Sequence, residues 1–207
     1  MNHFSRACFV SLALGASIVA GLSACAPVVI GGAVMGSLVA TDRRTAGAQL
    51  EDEGIELRAQ SRLREALGER AHVNVTSYNR QVLLTGEVPN TQDRQLAEQV
   101  VTKVENVRST VNEVAVLGNT TLSQRSADVL VSGRVRAGLV DAKDLFANAF
   151  KVVAERGTVY MMGRVTQREA DRATDIVRST TGVQKVVRLL EIISEEELKA
   201  LLPKPAP

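Results

Sequence analysis

The apolar positions of this chain follow one pattern, and that pattern occurs twice. From Val73 to Val88 the sequence VNVTSYNRQVLLTGEV alternates apolar and polar residues, breaks at SYNRQ, then runs apolar again. Such a pattern predicts two strands joined by a hairpin. FKVVAERGTVYMMGRV, Phe150–Val165, repeats it without a gap 77 positions later. There AERGT makes the break, with Gly157 suited to a positive φ. Val73, Val75, Val82, Leu84, Gly86 and Val88 fall on Phe150, Val152, Val159, Met161, Gly163 and Val165. After a one-residue deletion, Ala97, Val100, Val101, Val107, Val111 and Val116 fall on Ala173, Ile176, Val177, Val183, Val187 and Ile192. Upstream, Ala59, Leu63 and Leu67 recur four apart, the buried stripe of an amphipathic helix. They are aligned with Val131, Val135 and Leu139, and five extra residues around Asp141–Phe146 absorb the changed offset.

Each copy therefore reads helix, strand, strand, helix, strand. The expected fold class is α+β: two tandem αββαβ domains, each a three-stranded sheet with two helices on one face. The first covers residues 50–118 and the second 119–193, joined by GNTTLSQ at 118–124. Asn90–Asp93 and Thr166–Glu169 open the second helix of each copy in capping-box style. VRSTVNEVAVL and VQKVVRLLEII supply the closing strands. Residues 194–207 form a charged C-terminal extension ending in PKPAP, expected to be disordered at its tip.

Ahead of the repeat the pattern changes. Residues 1–24 start with His3 and Arg6 and continue apolar, as a secretory signal peptide does. The run ends in Leu22-Ser23-Ala24-Cys25, which resembles a bacterial lipobox, so cleavage is expected before Cys25 and lipidation on its thiol. Ala26–Ala40 is apolar but shorter than the ~20 residues a spanning helix needs. Residues 25–49 are thus expected to be a lipidated tether rather than a membrane span. Cys8 lies in the signal, so the mature chain has no second cysteine for a disulfide.

Composition narrows the chemistry. Aromatics make up 3% of the chain and Trp is absent, which argues against stacking platforms for bases or sugars. Residues 50–118 carry 8 basic and 11 acidic groups, while residues 119–193 carry 12 basic and 8 acidic. The second half is therefore the one suited to anionic partners. A secreted, lipidated chain has little occasion to meet nucleic acid, so none is expected as a partner. His72, the only histidine after the signal, reads as a surface or turn residue rather than a general base. No second His or usable Cys completes a usual zinc set, and Glu195-Glu196-Glu197 reads as a solvated charge run. No nucleophile-elbow motif occurs. No enzyme activity, cofactor, metal or small-molecule substrate is expected.

The first helix of the second copy carries the most pointed signal. On a wheel of about 100° per residue, Ala127, Val131, Val135 and Leu139 make the core stripe. Opposite lie Val129, Leu130, Gly133, Ala137 and Val140, a second apolar stripe, with Arg134 and Arg136 near its edges. The positions aligned with it in the first copy, Leu57, Arg58, Ser61, Glu65 and Gly68, are mostly polar. An apolar strip bordered by arginines suits an interfacial helix, whose guanidinium groups meet phosphates. The same strip also suits packing against the first domain, the C-terminal extension or a partner. Leu145 and Phe146, in the following loop, are candidates to insert beside it.

The αββαβ unit with a glycine closing its second strand, VLLTGEV and VYMMGRV, resembles the BON domain. Two such units behind a lipobox, with ATDRRTAGAQLEDEGIELR at Ala40–Arg58, resemble the dual BON-domain outer-membrane lipoproteins of the DolP/YraP family. The resemblance implies a non-catalytic, lipid-anchored outer-membrane protein facing the periplasm, and Ala26 after the lipidated cysteine agrees with that destination. It implies binding of anionic phospholipid through the second BON domain, and a role in envelope integrity and cell division. The family's binding helix maps onto Val129, Leu130, Gly133, Arg134, Arg136, Ala137 and Val140. Leu130 stands where the family pattern has a Trp, and the lost aromatic anchor should weaken lipid contact. The alternative is a protein-interaction adaptor for the outer-membrane protein assembly machinery, without direct lipid recognition.

Overall fold

The structure, a computed structural model, describes residues 42–118 and 120–201. The expected signal peptide, Cys25 and the stretch as far as residue 41, with residues 119 and 202–207, lie outside the described residues. The elements run α1 (Ala46–Leu67), β1 (His72–Tyr78), β2 (Gln81–Val88), α2 (Thr91–Thr102), β3 (Ser109–Asn112), β4 (Ala115–Val116), α3 (Leu122–Asp141), β5 (Phe150–Glu155), β6 (Thr158–Val165), α4 (Gln167–Ser179), β7 (Lys185–Ile192) and α5 (Glu195–Leu201). The first helix begins at Ala46, ahead of position 50. Thr45 caps α1, and Arg43 and Arg44 ahead of it are largely covered, so the tether expected over 25–49 gives way to packed structure by Asp42.

In each domain the second strand is central. β2 pairs antiparallel with β1 and parallel with β3 and β4, which are one closing strand interrupted at Glu113-Val114. β6 pairs antiparallel with β5 and parallel with an unbroken β7. Period-2 alternation along these strands builds two kinds of core. Val82 and Leu84 join Ile55, Ala59, Leu63, Ala97 and Val101 under α1 and α2. Val159 and Met161 likewise join Val131, Val135, Leu139, Ala173 and Val177 under α3 and α4. The intervening residues point the other way. Leu83 and Tyr78 of the first domain meet Tyr160 and Met162 of the second in a third buried cluster. The two sheets thus pack through their helix-free faces, with the helices outside.

The strand-end glycines have a physical cause. A Cβ on Gly86 would lie 2.0 Å from the His72 carbonyl oxygen, and one on Gly163 would lie 2.4 Å from that of Ala149. Both positions exclude any side chain.

The repeat is tighter than the alignment above. α1 and α3 correspond at an offset of 76, not 72, so Ile55, Ala59 and Leu63 match Val131, Val135 and Leu139. Thr45 and Thr121 are then equivalent N-caps, and one extra residue, not five, separates the helix offset from the strand offset. A four-residue slip turns a helix by only about 40°, so spacing alone cannot detect it. Buried carboxylates fix the register. Asp52 accepts from the backbone N–H groups of Asn79 (2.7 Å) and Arg80 (2.8 Å) and from the Ser77 hydroxyl. Asp128 accepts from those of Arg156 (2.8 Å) and Gly157 (3.0 Å). In both domains an aspartate near the start of the first helix ties down a two-residue hairpin turn whose residues all have positive φ. Ala127, expected in the core stripe, is exposed; Asp128 takes that place.

Candidate functional site

α3 starts cleanly because Thr121 and Gln124 form a reciprocal capping box. Its inner face, Asp128, Val131, Val135 and Leu139, is buried against the sheet and α4. Its outer face is open. Val129, Leu130 and Val140 are 71%, 59% and 69% exposed, and Gly133, Arg134, Arg136 and Ala137 are exposed with them. Neither the first domain nor α5 covers the stripe. The corrected register strengthens the contrast between copies: the matching positions of α1 are Glu53, Gly54, Leu57, Ser61 and Arg64.

The two arginines differ. Arg134 leans toward the 180–184 turn, its guanidinium 3.4 Å from the Thr181 carbonyl oxygen. Arg136, on the opposite flank, has no ion-pair partner among the described residues. It borders a hollow of about 450 Å³ shared with Val140, Lys151 and Arg44. A second hollow, carrying Arg125, Val129, Ser132 and Gly133, continues along the same side of the helix. The stripe is thus a ridge beside a groove lined by Arg125 and Arg136 and also by Asp42 and Glu155.

Two residues escaped the sequence reading. Leu122, at the first helical position, is 81% exposed and prolongs the stripe toward the N-terminus. Arg125 adds a third guanidinium on the Arg136 flank and donates to the Thr120 hydroxyl at 3.2 Å. Continuing the wheel back to the capping box would have included both. The loop behaves unlike its expectation. Leu145 is buried in the second-domain core, whereas Phe146 is partly exposed with the Arg43 guanidinium 6.0 Å from its ring centroid. Leu145 therefore has no freedom to insert anywhere.

His72 is the first residue of β1, its Nδ1 3.4 Å from a carboxylate oxygen of fully buried Glu87. Glu195 and Glu197 pair with Arg168 and Arg164. No described helix is long and apolar enough to cross a membrane.

Residues 51–118 and 127–194 each match the BON domain. Over 185 residues the chain is 34% identical to Outer membrane lipoprotein DolP of Haemophilus influenzae, spanning 88% of this chain and 95% of that protein. The chain belongs to the dual BON-domain DolP family. Membership in this family makes it an envelope-associated BON-domain protein. It is also 30% identical over 154 residues to the 21 kDa hemolysin of Actinobacillus pleuropneumoniae, covering 73% of this chain and 79% of that one. Among solved structures, CdsD, a structural protein of the type III secretion system of Chlamydia trachomatis, aligns at a TM-score of 0.30 and 15% identity. That alignment covers 69% of this chain and 96% of CdsD, and the likeness is too distant to carry any argument.

Proposed function

We propose that this protein is a non-catalytic, lipid-anchored outer-membrane protein, facing the periplasm, which recognises anionic phospholipid through α3 of its second BON domain. The single observation that carries the reading is the open stripe Val129-Leu130-Val140, with Arg134 and Arg136 on either flank. Kinship with an outer-membrane lipoprotein and the lipobox-like Leu22–Cys25 segment support the membrane setting.

The energetics fit a reversible contact. A Val or Leu side chain leaving water contributes about 1.5–3 kcal/mol. Each arginine close to an anionic surface adds about 1 kcal/mol. Against this stands the cost of immobilising the body on the surface. The anchor expected on Cys25 would hold the chain at a membrane, and α3 would choose where on that membrane it rests. In this reading, supporting envelope integrity and division would follow from placement at sites rich in acidic lipid.

The test is flotation of residues 26–207, without the signal segment or an acyl chain, with vesicles of phosphatidylcholine, with and without phosphatidylglycerol. Binding is expected only with phosphatidylglycerol, weakened in Arg134→Glu/Arg136→Glu. It should also fall as salt is raised, because the screening length shrinks from about 8 Å at 0.15 M to about 3 Å at 1 M. Equal binding to both vesicles, or to neither, would refute lipid recognition and leave the adaptor reading.

A further inference from the structure

The three residues that precede the α1 cap connect parts of the molecule that are far apart in sequence. Arg43 donates from Nη1 and Nη2 to both carboxylate oxygens of Glu169, each at 2.7 Å, and also to the Arg164 carbonyl at 2.9 Å. The Arg43 and Glu169 side chains are 3% and 1% exposed. Arg44 pairs with Asp42 and Asp52 and lies 4.3 Å from the centroid of the Tyr78 ring. One arginine thus belongs to the second domain and the next to the first. The Tyr78 hydroxyl closes the circuit by accepting from the Arg164 backbone N–H at 3.3 Å.

The other ion pairs between the domains each keep at least one partner partly exposed, Arg156 on fully buried Glu87 among them. Asn74 reaches Glu155 and Lys151 reaches Glu56 at partly open positions, while Arg108 sits 3.8 Å from Glu191. The Arg43–Glu169 pair is the bidentate, dry one, the geometry in which a guanidinium discriminates most sharply for a carboxylate. Through these three bonds the residue just ahead of α1 is tied directly to α4 and β6 of the second domain.

We propose that Asp42–Arg44 is a strap locking the two BON domains into one body, and that its release opens the helix-free faces of both sheets. Asp42 and Arg44 line the same hollow as Arg136 and Val140 of α3. Holding the strap therefore fixes α3 relative to the start of α1. This inference concerns the domain pair and stands whether or not α3 binds lipid.

The molecule supplies its own reporter. It has no Trp and two tyrosines, and Tyr78 and Tyr160 both lie in the buried cluster between the sheets. In a Tyr78→Phe background of the full chain, the remaining emitter is Tyr160, which bonds Glu113 rather than the strap. Acrylamide quenching of that tyrosine should rise several-fold in Arg43→Ala, with far-UV circular dichroism unchanged. Glu169→Gln retains a side chain able to cap α4 and should give the same rise. Arg43→Ala/Glu169→Gln removes both charges and should stay as open as either single variant. Return of the double variant to the parental value would overturn the strap, since the effect would then come from an orphaned charge alone. Unchanged quenching in folded Arg43→Ala would overturn it equally.

Discussion

Asp52 and Asp128 show how much one side chain settles. Each reaches from a helix to the two backbone N–H groups of a hairpin turn, fixing the helix's rotation and the turn's conformation together. Burial works against the Asp52 charge, but the Ser77 hydroxyl, the turn N–H groups and Arg44 outweigh it and hold its pKa below the ordinary aspartate value. A depressed carboxylate pKa gives stability that is present above the unfolded-state value, about 3.9, and is lost as pH falls through the folded value. Asp52→Asn should therefore cost about 2–3 kcal/mol at neutral pH. In urea melts the gap from wild type should narrow below about pH 4; a constant gap would show that the charge is irrelevant. Gly86→Ala tests the strand-end approach. With φ at 104° and a carbonyl 2.0 Å from the new Cβ, it should cost more than the ~1 kcal/mol of an ordinary glycine exchange in the same melts.

At the scale of the element, the strands and hairpin turns were legible because the alternating pattern of each hairpin allows one register. The closing strands were legible as segments, but the interruption of the first at Glu113-Val114 was not. The first helices were legible as helices and misaligned by a turn, because a spacing of four maps a buried stripe nearly onto itself. What the hydrophobic pattern could not show was polar: Asp52 and Asp128 are buried by hydrogen bonds that depend on a turn some 28 residues away. The outer stripe of α3 was readable residue by residue, since an apolar face with no core to fill is visible on a wheel. That the first domain leaves it open was decided by packing between sheets, which no local pattern encodes. Within the stripe, Gly133 has nothing within 4 Å of where a Cβ would sit. Gly133→Ala should therefore raise helix stability by about 0.5–1 kcal/mol, read as a higher Tm. Gly138→Ala should not, since its Cβ would lie 3.1 Å from Ile176.

Among the described residues, the arrangement sheet against sheet puts α1 to α4 outside and leaves the difference between the two domains to their surfaces. α1 also carries an exposed apolar residue, Leu57, at 74%. It stands at the position of Gly133 in the corrected register, with Glu53, Arg58 and Arg64 around it and exposed Leu50 two turns before it. That makes it the natural control for α3. The most direct measurement compares Leu130→Glu with Leu57→Glu, both in residues 26–207 without signal segment or acyl anchor, in flotation on phosphatidylglycerol vesicles, after circular dichroism has shown both variants folded. The account predicts that Leu130→Glu stays at the bottom of the gradient while Leu57→Glu floats like the parent chain. If Leu130→Glu floats as well as Leu57→Glu does, α3 is not the lipid-binding element.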